Sequence, residues 1–428
     1  MNTFTQFQTF EIPPRSNGLS ESRTVLASHD AAEDRDAPDG SPDSRQPGRE
    51  AILSAKLDRF LKRGRIETPY AVIDLDLVAE RYSAMRRSLP GALIYYAVQA
   101  NPERAILRRL HQLGANFDVA SVAELRRCLS AGASPEQIAY GNTIKKERDI
   151  ALAYKLGVRM FCFDSLSELR KLAVRAPGSR VCCRLLVQAQ GAEWSLSRKF
   201  GCDADMAYDL LKLSRQLGLV PQGLIFHVGT QQTDPCQWSA PIHAAAQLFS
   251  KLAREGINLE LLSLGGGLPA HYRSGTPSDD VYVSEIMRSI RRSFGGSEPM
   301  IMIEPGRSLV ADAGVIQTEV VLISKKSYSD AQRWVFLDIG KFGGLIETLD
   351  ESIKYRFRTP HDGKPVGRVI LAGPTCDSAD ILYEKSSYEL PLDLKEGDRV
   401  EILSAGAYTH TYASICLNGL PSLRAYCI

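Results

Sequence analysis

Short apolar runs alternate with amphipathic segments through the middle of the chain, and turn residues separate the two. The segments at 122–129, 165–172, 206–217 and 244–253 have apolar residues at helical spacing. The apolar runs have the length of buried strands, and eight of them are predicted as strands: 92–98, 116–120, 137–140, 159–163, 181–187, 224–228, 259–264 and 300–303. Eight strands alternating with helices predict an α/β fold and favour a parallel (β/α)₈ barrel, although a doubly wound sheet has the same order of elements.

The pattern changes on both sides of this region. Strand-like segments with few helices between them follow residue 313, at 315–323, 334–338, 368–372, 399–403 and 423–428, and they predict a mostly β domain. An amphipathic helix is expected from about residue 51, followed by a strand at 70–74. Residues 1–50 have few apolar positions and many Asp, Arg, Pro, Ser and Gly, so we predict a disordered N-terminal extension.

Polar residues cluster at or just after the ends of the predicted strands. In a barrel, the carboxyl ends of all strands meet at one face, and enzymes of this architecture place their chemistry there. The polar positions are Gln99, Asp118, His227, the run Gly265-Gly266-Gly267, and the turn from Glu304 to Arg307. Their placement favours the barrel and predicts a site at its carboxyl-terminal face.

Composition and charge narrow the classes of function. Hydrophobic residues at 44% and charged residues at 24% are ordinary for a soluble globular protein, and a net charge of +2 gives no reason to expect nucleic acid as a partner. No run approaches the ~20 apolar residues of a membrane helix, and the N-terminus lacks the layout of a secretory signal. The nine cysteines show no CxxC pair and no zinc spacing, so we expect no metal and free thiols in a reducing cytoplasm.

Several motifs together resemble one enzyme family. The most informative is YYAVQANP at 95–102, an apolar run that ends at a polar residue. Asn101-Pro102 is then expected to start a helix with Ile106, Leu110 and Leu113 at helical spacing. With EPGR at 304–307 and GPTCDSAD at 373–380, it resembles the pyridoxal phosphate (PLP)-dependent decarboxylases of ornithine, lysine, arginine and diaminopimelate.

The resemblance covers the chain from about residue 56 to its end, and the segment DIGKFGG at 338–344 places it nearest the bacterial ornithine decarboxylases. It implies an alanine-racemase-like fold, with a PLP-binding TIM barrel at 75–313 and a β domain at 314–428 that residues 51–74 join. It also implies a homodimer with shared active sites.

One position departs from the family pattern. Gln99 stands where the family has the lysine that forms the Schiff base with PLP. An amide nitrogen is not basic and cannot condense with an aldehyde, so PLP would bind weakly or without a covalent bond. Ser263 is a second departure, since aspartate is common there in the family.

The family's phosphate-binding residues have counterparts in this chain. A phosphate needs close backbone N–H groups and a cation, which glycine runs and arginine supply. The resemblance assigns these roles to Gly265, Gly266, Gly267, Arg307, Thr230 and Tyr408.

The residues around the pyridine ring also have counterparts. Glu304 matches the carboxylate that keeps the ring nitrogen protonated, which the ring needs in order to accept electrons. His227 matches the histidine that stacks on the ring. Asp118, Glu124 and Arg184 match supporting positions.

Acidic residues are expected to select the substrate, because a basic amino acid brings a distal ammonium that needs a partner. In the family, the loop matched by 373–380 crosses the dimer interface, its cysteine protonates the substrate carbon, and the next aspartate holds the distal amine. Cys376 and Asp377 are the corresponding residues. Asp350 matches the position of a second aspartate that holds the distal amine in the family.

Two functions remain open from the sequence. The retained cofactor and substrate residues favour a decarboxylase of a basic L-amino acid, most simply ornithine to putrescine and CO₂ in polyamine biosynthesis, or lysine. Gln99 favours an inactive homologue that regulates or complements an active decarboxylase, as a heterodimer for instance. A racemase on the same barrel fits less well, because the loop at 373–380 is a decarboxylase feature.

Overall fold

The structure is a computed structural model, and it describes residues 53–64, 66–194, 199–415 and 417–428. The predicted extension at 1–50 lies outside the described residues. Within these ranges, no helix is both long enough and apolar enough to cross a membrane.

Eight parallel strands close into a barrel, which confirms the predicted fold class. The strands are Leu93–Ala97, Asn116–Val119, Ile138–Tyr140, Met160–Phe163, Arg180–Arg184, Val220–Ile225, Leu261–Ser263 and Met300–Ile303. Each pairs with the next along the chain, and the last pairs with the first through Met302 and Leu93. A small apolar cluster that includes Tyr95, Met160 and Leu261 contains residues from these strands.

Helices connect the barrel strands, and local capping explains where several of them begin. The side chain of Ser121 accepts the backbone N–H of Glu124, and that of Asp203 accepts the backbone N–H of Met206. The helices of the described residues are Ala55–Leu61, Leu75–Ser88, Arg104–Gln112, Val122–Ala131, Glu147–Lys155, Leu166–Arg175, Ala204–Gln216, Ser239–Ala253, Asp279–Phe294 and Arg307–Val310.

A second sheet of eight strands is built from residues on both sides of the barrel segment. Tyr70–Ile73 pairs antiparallel with Gly314–Ser324 and parallel with Arg424–Cys427. The remaining strands of the sheet are Arg333–Leu337, Arg356–Arg358, Val366–Ala372, Ile381–Pro391 and Arg399–Leu403. A two-stranded ribbon, Ala192–Trp194 with Thr230–Gln232, adds to these elements. The boundaries 51–74, 75–313 and 314–428 stay a proposal.

Several elements differ from the sequence prediction, and the strand Arg356–Arg358 and the two ribbon strands were not predicted. The strand predicted at 224–228 is Val220–Ile225, because Gly223 lets its backbone approach Leu261 closely in the neighbouring strand. The helix expected to start at Asn101-Pro102 begins instead at Arg104, since Asn101 precedes a proline and adopts an extended conformation. The strand Ile381–Pro391 was not predicted.

Candidate active site

Gln99 lies on a short turn, Val98–Ala100, directly after the first barrel strand. Its neighbours in this turn are buried, whereas Gln99 itself is exposed. The segment after the strand Arg399–Leu403 fixes the turn. The backbone N–H of Tyr408 donates to the carbonyl of Ala100 at 2.9 Å, and Nδ2 of Asn101 donates to the carbonyl of Gly406 at 2.8 Å. The position that carries lysine in the family is therefore held at a defined place at the carboxyl end of the barrel.

Glu304 is buried at the end of the last barrel strand, next to Ser263. The Ser263 hydroxyl donates to Oε1 of Glu304 at 2.7 Å. Burial raises the pKa of Glu304, while the Ser263 hydrogen bond and the positive charge of Arg184 lower it. The carboxylate thus has one hydrogen-bond donor and one nearby cation to support its charged form.

Asp118 belongs to the same acidic cluster. Burial raises its pKa well above the usual range, the charges of Glu304 and Glu124 add to this, and Arg184 opposes it. Its Oδ1 is buried without a hydrogen-bond partner in the described ranges. Burial and the neighbouring carboxylates therefore make the charged form of Asp118 less favourable than in water.

His227 lies beside this cluster as a neutral imidazole. Burial lowers the pKa of His227 to about 3, with a further contribution from Arg184. The backbone N–H of Gly229 donates to Nδ1 at 3.0 Å, so the ring proton of the neutral form resides on Nε2. A Cβ on Gly266 would lie 3.2 Å from Nε2 of His227, so the imidazole and the glycine run are close neighbours.

The backbone of the glycine run packs directly against the backbone of neighbouring segments. Gly265 has a φ of +66°, and a Cβ there would lie 2.2 Å from the carbonyl oxygen of Phe226. A Cβ on Gly266 would lie 2.7 Å from the carbonyl oxygen of Glu304. Side chains are excluded from both positions, which leaves the loop compact, as a phosphate cradle requires.

Arg307 is buried and already has an anionic partner. Its Nη1 and Nη2 donate to the two carboxylate oxygens of Glu347 at 2.8 and 2.6 Å. Nη1 also donates to the hydroxyl of Tyr272 at 2.7 Å. Its Nε is buried, and the part of the chain that the structure describes offers it no acceptor.

Thr230 and Tyr408 flank this arginine and the glycine loop. Thr230 opens the ribbon strand Thr230–Gln232, whose Gln232 donates its backbone N–H to the carbonyl of Gly267 at 2.9 Å. The Tyr408 ring centre lies 4.8 Å from Cζ of Arg307. The structure therefore places the predicted phosphate-binding residues around one region of the barrel mouth.

The predicted catalytic Cys376 and the predicted substrate-binding residues Asp377 and Asp350 are exposed, on connections between strands of the second sheet. Cys376 contacts Asn418, which accepts the Cys376 backbone N–H and places Nδ2 3.1 Å from Sγ. Asp377 accepts the backbone N–H of Ala379, and Asp350 is exposed with a φ of +51°. In the described residues, their hydrogen bonds do not link them to the Gln99 turn, so their part in the site stays a prediction.

Two lysines of the barrel segment contact neighbouring groups. The ammonium of Lys199 lies 5.0 Å from the Phe200 ring centre. Lys145, which the sequence did not single out, lies 3.0 Å from a carboxylate oxygen of Glu168 and donates to the carbonyls of Asn142 and Cys162. These three partners account for all three ammonium hydrogens of Lys145.

Glu347 and Tyr272 are the site residues that sequence analysis missed. Glu347 follows Leu345-Ile346, and an acidic residue within an apolar stretch of this kind could have indicated a buried charge that needs a partner. Which cation it would meet was not visible from local sequence, because Arg307 is 40 residues away along the chain.

Comparisons with known proteins identify the family of this chain. The model for the pyridoxal binding domain of pyridoxal-dependent decarboxylases matches residues 75–311. The lysine/ornithine decarboxylase of Selenomonas ruminantium is 35% identical over 363 residues, which cover 85% of this chain and 90% of that protein. Antizyme inhibitor 2 of Xenopus laevis is 29% identical over 357 residues, covering 79% of this chain and 76% of that protein. A crystal structure of SrLDC, the lysine decarboxylase of Selenomonas ruminantium, with PLP and cadaverine matches with a TM-score of 0.78 and 33% identity, over 88% of this chain and 94% of that one.

Proposed function

The chain belongs to the pyridoxal-dependent decarboxylases, with PLP as the cofactor of the family, and we propose from this that its barrel mouth is built to decarboxylate a basic L-amino acid. L-Ornithine, giving putrescine and CO₂ for polyamine biosynthesis, is the substrate we propose first, and L-lysine the second. A relative that is named a lysine/ornithine decarboxylase supports this pair of substrates.

The residues present fit the cofactor. Nε of Arg307, buried and without an acceptor in the described ranges, is suited to an oxygen of the phosphate. Gly266 and Gly267 carry no side chains that would cover their backbone N–H groups, so these donors suit a phosphate. Buried Glu304 offers a carboxylate to the protonated ring nitrogen, and neutral His227 offers a flat face.

When bound, PLP supplies an electron-accepting ring that takes up the electron pair left by departing CO₂. The chain's own residues would then have separate tasks. Glu304 would hold the proton at the ring nitrogen, supported by the Ser263 hydroxyl at 2.7 Å. Cys376 of a second copy would return a proton to the substrate carbon. Asp377 and Asp350 would hold the distal ammonium and thereby favour basic substrates.

Gln99 limits what this exact chain can do. The single observation that carries the proposal is that an amide occupies a fixed, exposed position among otherwise retained cofactor residues. Its nitrogen is not nucleophilic, so it can neither attach the cofactor nor release the product amine. We therefore propose that this sequence binds PLP without a covalent bond and turns over substrate very slowly, and that a lysine at position 99 makes the same site active.

The second candidate function is that of an inactive homologue that regulates or complements an active decarboxylase. Gln99 favours it, and so does a relative whose name, antizyme inhibitor 2, refers to inhibition rather than to decarboxylation. In this proposal the chain forms a homodimer or a heterodimer in the cytoplasm, and the loop with Cys376 completes the partner's site.

An absorbance spectrum with added PLP tests the first proposal. Covalently attached PLP has its own band in the visible. We expect no such band from this chain and expect it from Gln99→Lys. A covalent band from the unmodified chain would overturn the proposal, because another lysine would then hold the cofactor.

A further inference from the structure

The Arg307–Glu347 ion pair lies where the cofactor phosphate is expected. The two side chains are only 2% and 5% exposed. Both carboxylate oxygens of Glu347 accept hydrogen bonds from Nη1 and Nη2, so the carboxylate occupies the outer end of the guanidinium. The positive charge of Arg307 is therefore balanced within the chain itself.

The hydrogen bonds leave one edge of the guanidinium available. A guanidinium has five N–H bonds, and in Arg307 two of them go to Glu347 and one to Tyr272. The N–H of Nε and the second N–H of Nη2 remain, and these lie on the same edge of the planar group. An anion can bind along this edge while Glu347 keeps its place.

A second carboxylate adds to the negative charge around Arg307. Glu193, on the ribbon strand Ala192–Trp194, is half-buried, and its Oε2 has no hydrogen-bond partner among the described residues. The ribbon lies beside the glycine run, because Gln232 of its other strand donates its backbone N–H to the carbonyl of Gly267 at 2.9 Å. Burial and the charge of Glu347 raise the pKa of Glu193, whereas the charges of Lys354 and Arg307 and a hydrogen bond from Ser274 lower it.

We propose that Glu347 sets the affinity of this site for the cofactor phosphate by neutralising Arg307. A phosphate that approaches the open edge of Arg307 meets a balanced ion pair and a further carboxylate instead of an isolated cation. Glu347 thus weakens phosphate binding while it holds the guanidinium in place. The inference rests on the proposed assignment of Arg307 to the phosphate.

The influence of Glu347 on PLP affinity should be larger in a chain with Gln99 than in one with lysine at that position. Where a lysine attaches the cofactor, the covalent bond contributes to retention. With an amide at that position, only the non-covalent contacts remain, and the phosphate is the most highly charged group among them. Changes to Glu347 should then appear directly in the dissociation constant for PLP.

The test measures binding to the full-length chain by fluorescence quenching and calorimetry, with PLP, pyridoxal and inorganic phosphate as separate ligands. At the effective dielectric constant of a protein site, removing one unit charge close to the phosphate should change the dissociation constant roughly tenfold. We therefore expect Glu347→Gln to bind PLP and inorganic phosphate about tenfold more tightly, and pyridoxal with unchanged affinity.

Three further variants separate charge from structure. Glu347→Asp keeps the charge and should show no gain in PLP affinity. Glu193→Gln removes a carboxylate that does not hydrogen-bond to Arg307, so it leaves no buried partner unpaired and should give a smaller gain, roughly threefold. Glu298→Gln removes an exposed charge just before the strand Met300–Ile303 and should have no effect.

The inference would be overturned if Glu193→Gln and a folded Glu347→Gln both bound PLP no more tightly than the parent chain. An equal gain in affinity for pyridoxal would also overturn it. If Glu347→Gln does not fold, the result for Glu193→Gln decides. The visible band of Gln99→Lys with PLP is recorded separately. Its absence would count against the proposed function, whereas its presence without a charge effect would count against Glu347 alone.

Discussion

The hydroxyl of Ser263 donates a hydrogen bond of 2.7 Å to Oε1 of buried Glu304. The same oxygen atom of Ser263 accepts the backbone N–H of Gly265 at 3.2 Å, so one small side chain joins the glycine loop to the carboxylate expected at the cofactor ring. A neutral donor at this position supports the charged form of Glu304, where an aspartate would add a second negative charge.

Ser263→Ala should therefore weaken PLP binding. Without the hydroxyl, the pKa of Glu304 rises further, and the carboxylate loses its charge at a higher pH. We expect PLP affinity to fall by roughly tenfold, in line with the ~1.5 kcal/mol of a hydrogen bond to a charged group. As the pH is lowered, the affinity of the variant should begin to decline at a higher pH than that of the parent chain.

The dissociation constant for PLP, measured across a pH series, checks this expectation. Ser214→Ala is the matched control, because Ser214 is equally buried but donates to the carbonyl of Leu211 in a helix. Identical pH profiles for Ser263→Ala and the parent would show that the hydrogen bond does not support Glu304.

Asp118 should make stability depend on pH. Burial and the charges of Glu304 and Glu124 raise its pKa well above the usual 3.8. The folded state then binds this proton more tightly than the unfolded state does. The stability that Asp118 contributes is present below the unfolded pKa and is lost as the pH rises through the folded value.

Asp118→Asn removes this loss. The variant should therefore gain stability relative to the parent as the pH rises from the usual 3.8 towards the raised folded pKa, by ~1.4 kcal/mol per pH unit. Urea unfolding of both proteins at several pH values measures the difference. Asp209→Asn, at an exposed helix position, should show no such trend. A difference that stays constant with pH would contradict the raised pKa.

Asp377→Ala, made together with Gln99→Lys, should mainly weaken ornithine binding. An ammonium that loses its carboxylate partner in a site shielded from water costs on the order of 2 kcal/mol, which corresponds to roughly a thirtyfold higher KM. Steady-state release of CO₂ gives KM and kcat separately. Asp209→Ala in the same background is the control, and an unchanged KM for ornithine would show that Asp377 does not hold the distal amine.

Complementation tests the second candidate function. If the loop with Cys376 enters a partner's site, this chain should restore activity to a lysine-bearing homologue whose own cysteine at that position has been removed. Decarboxylation should appear only in the mixture, and Cys376→Ala in this chain should abolish it. An inactive mixture in which heterodimers are demonstrated would contradict the shared site.

The barrel could be predicted because most of its strands contain a short, buried apolar run between turn residues. The strand Ile381–Pro391 escaped prediction for the opposite reason. Its central residues, 384–387, are polar, and its pairing with Val366–Ala372 shifts register near Leu371, so neither an apolar run nor regular alternation marks it.

The candidate site divides in the same way. Gln99, Asp118, His227 and Glu304 could be grouped from sequence because each lies at or just after the end of a predicted strand, and parallel strands end at one face. The Glu347 partner of Arg307 could not be predicted, because the pair joins the barrel to a segment that folds over it from the second sheet. Ion pairs of this kind depend on tertiary approach, which leaves no periodic trace in the sequence.

The most direct test of the account is the release of CO₂ from L-ornithine by this chain and by Gln99→Lys, each saturated with PLP. If the amide at position 99 is what blocks the site, the unmodified chain should be slower on the order of 10³-fold or more, equivalent to ~4 kcal/mol in the barrier. Equal turnover by the two proteins would contradict the claim that position 99 controls activity.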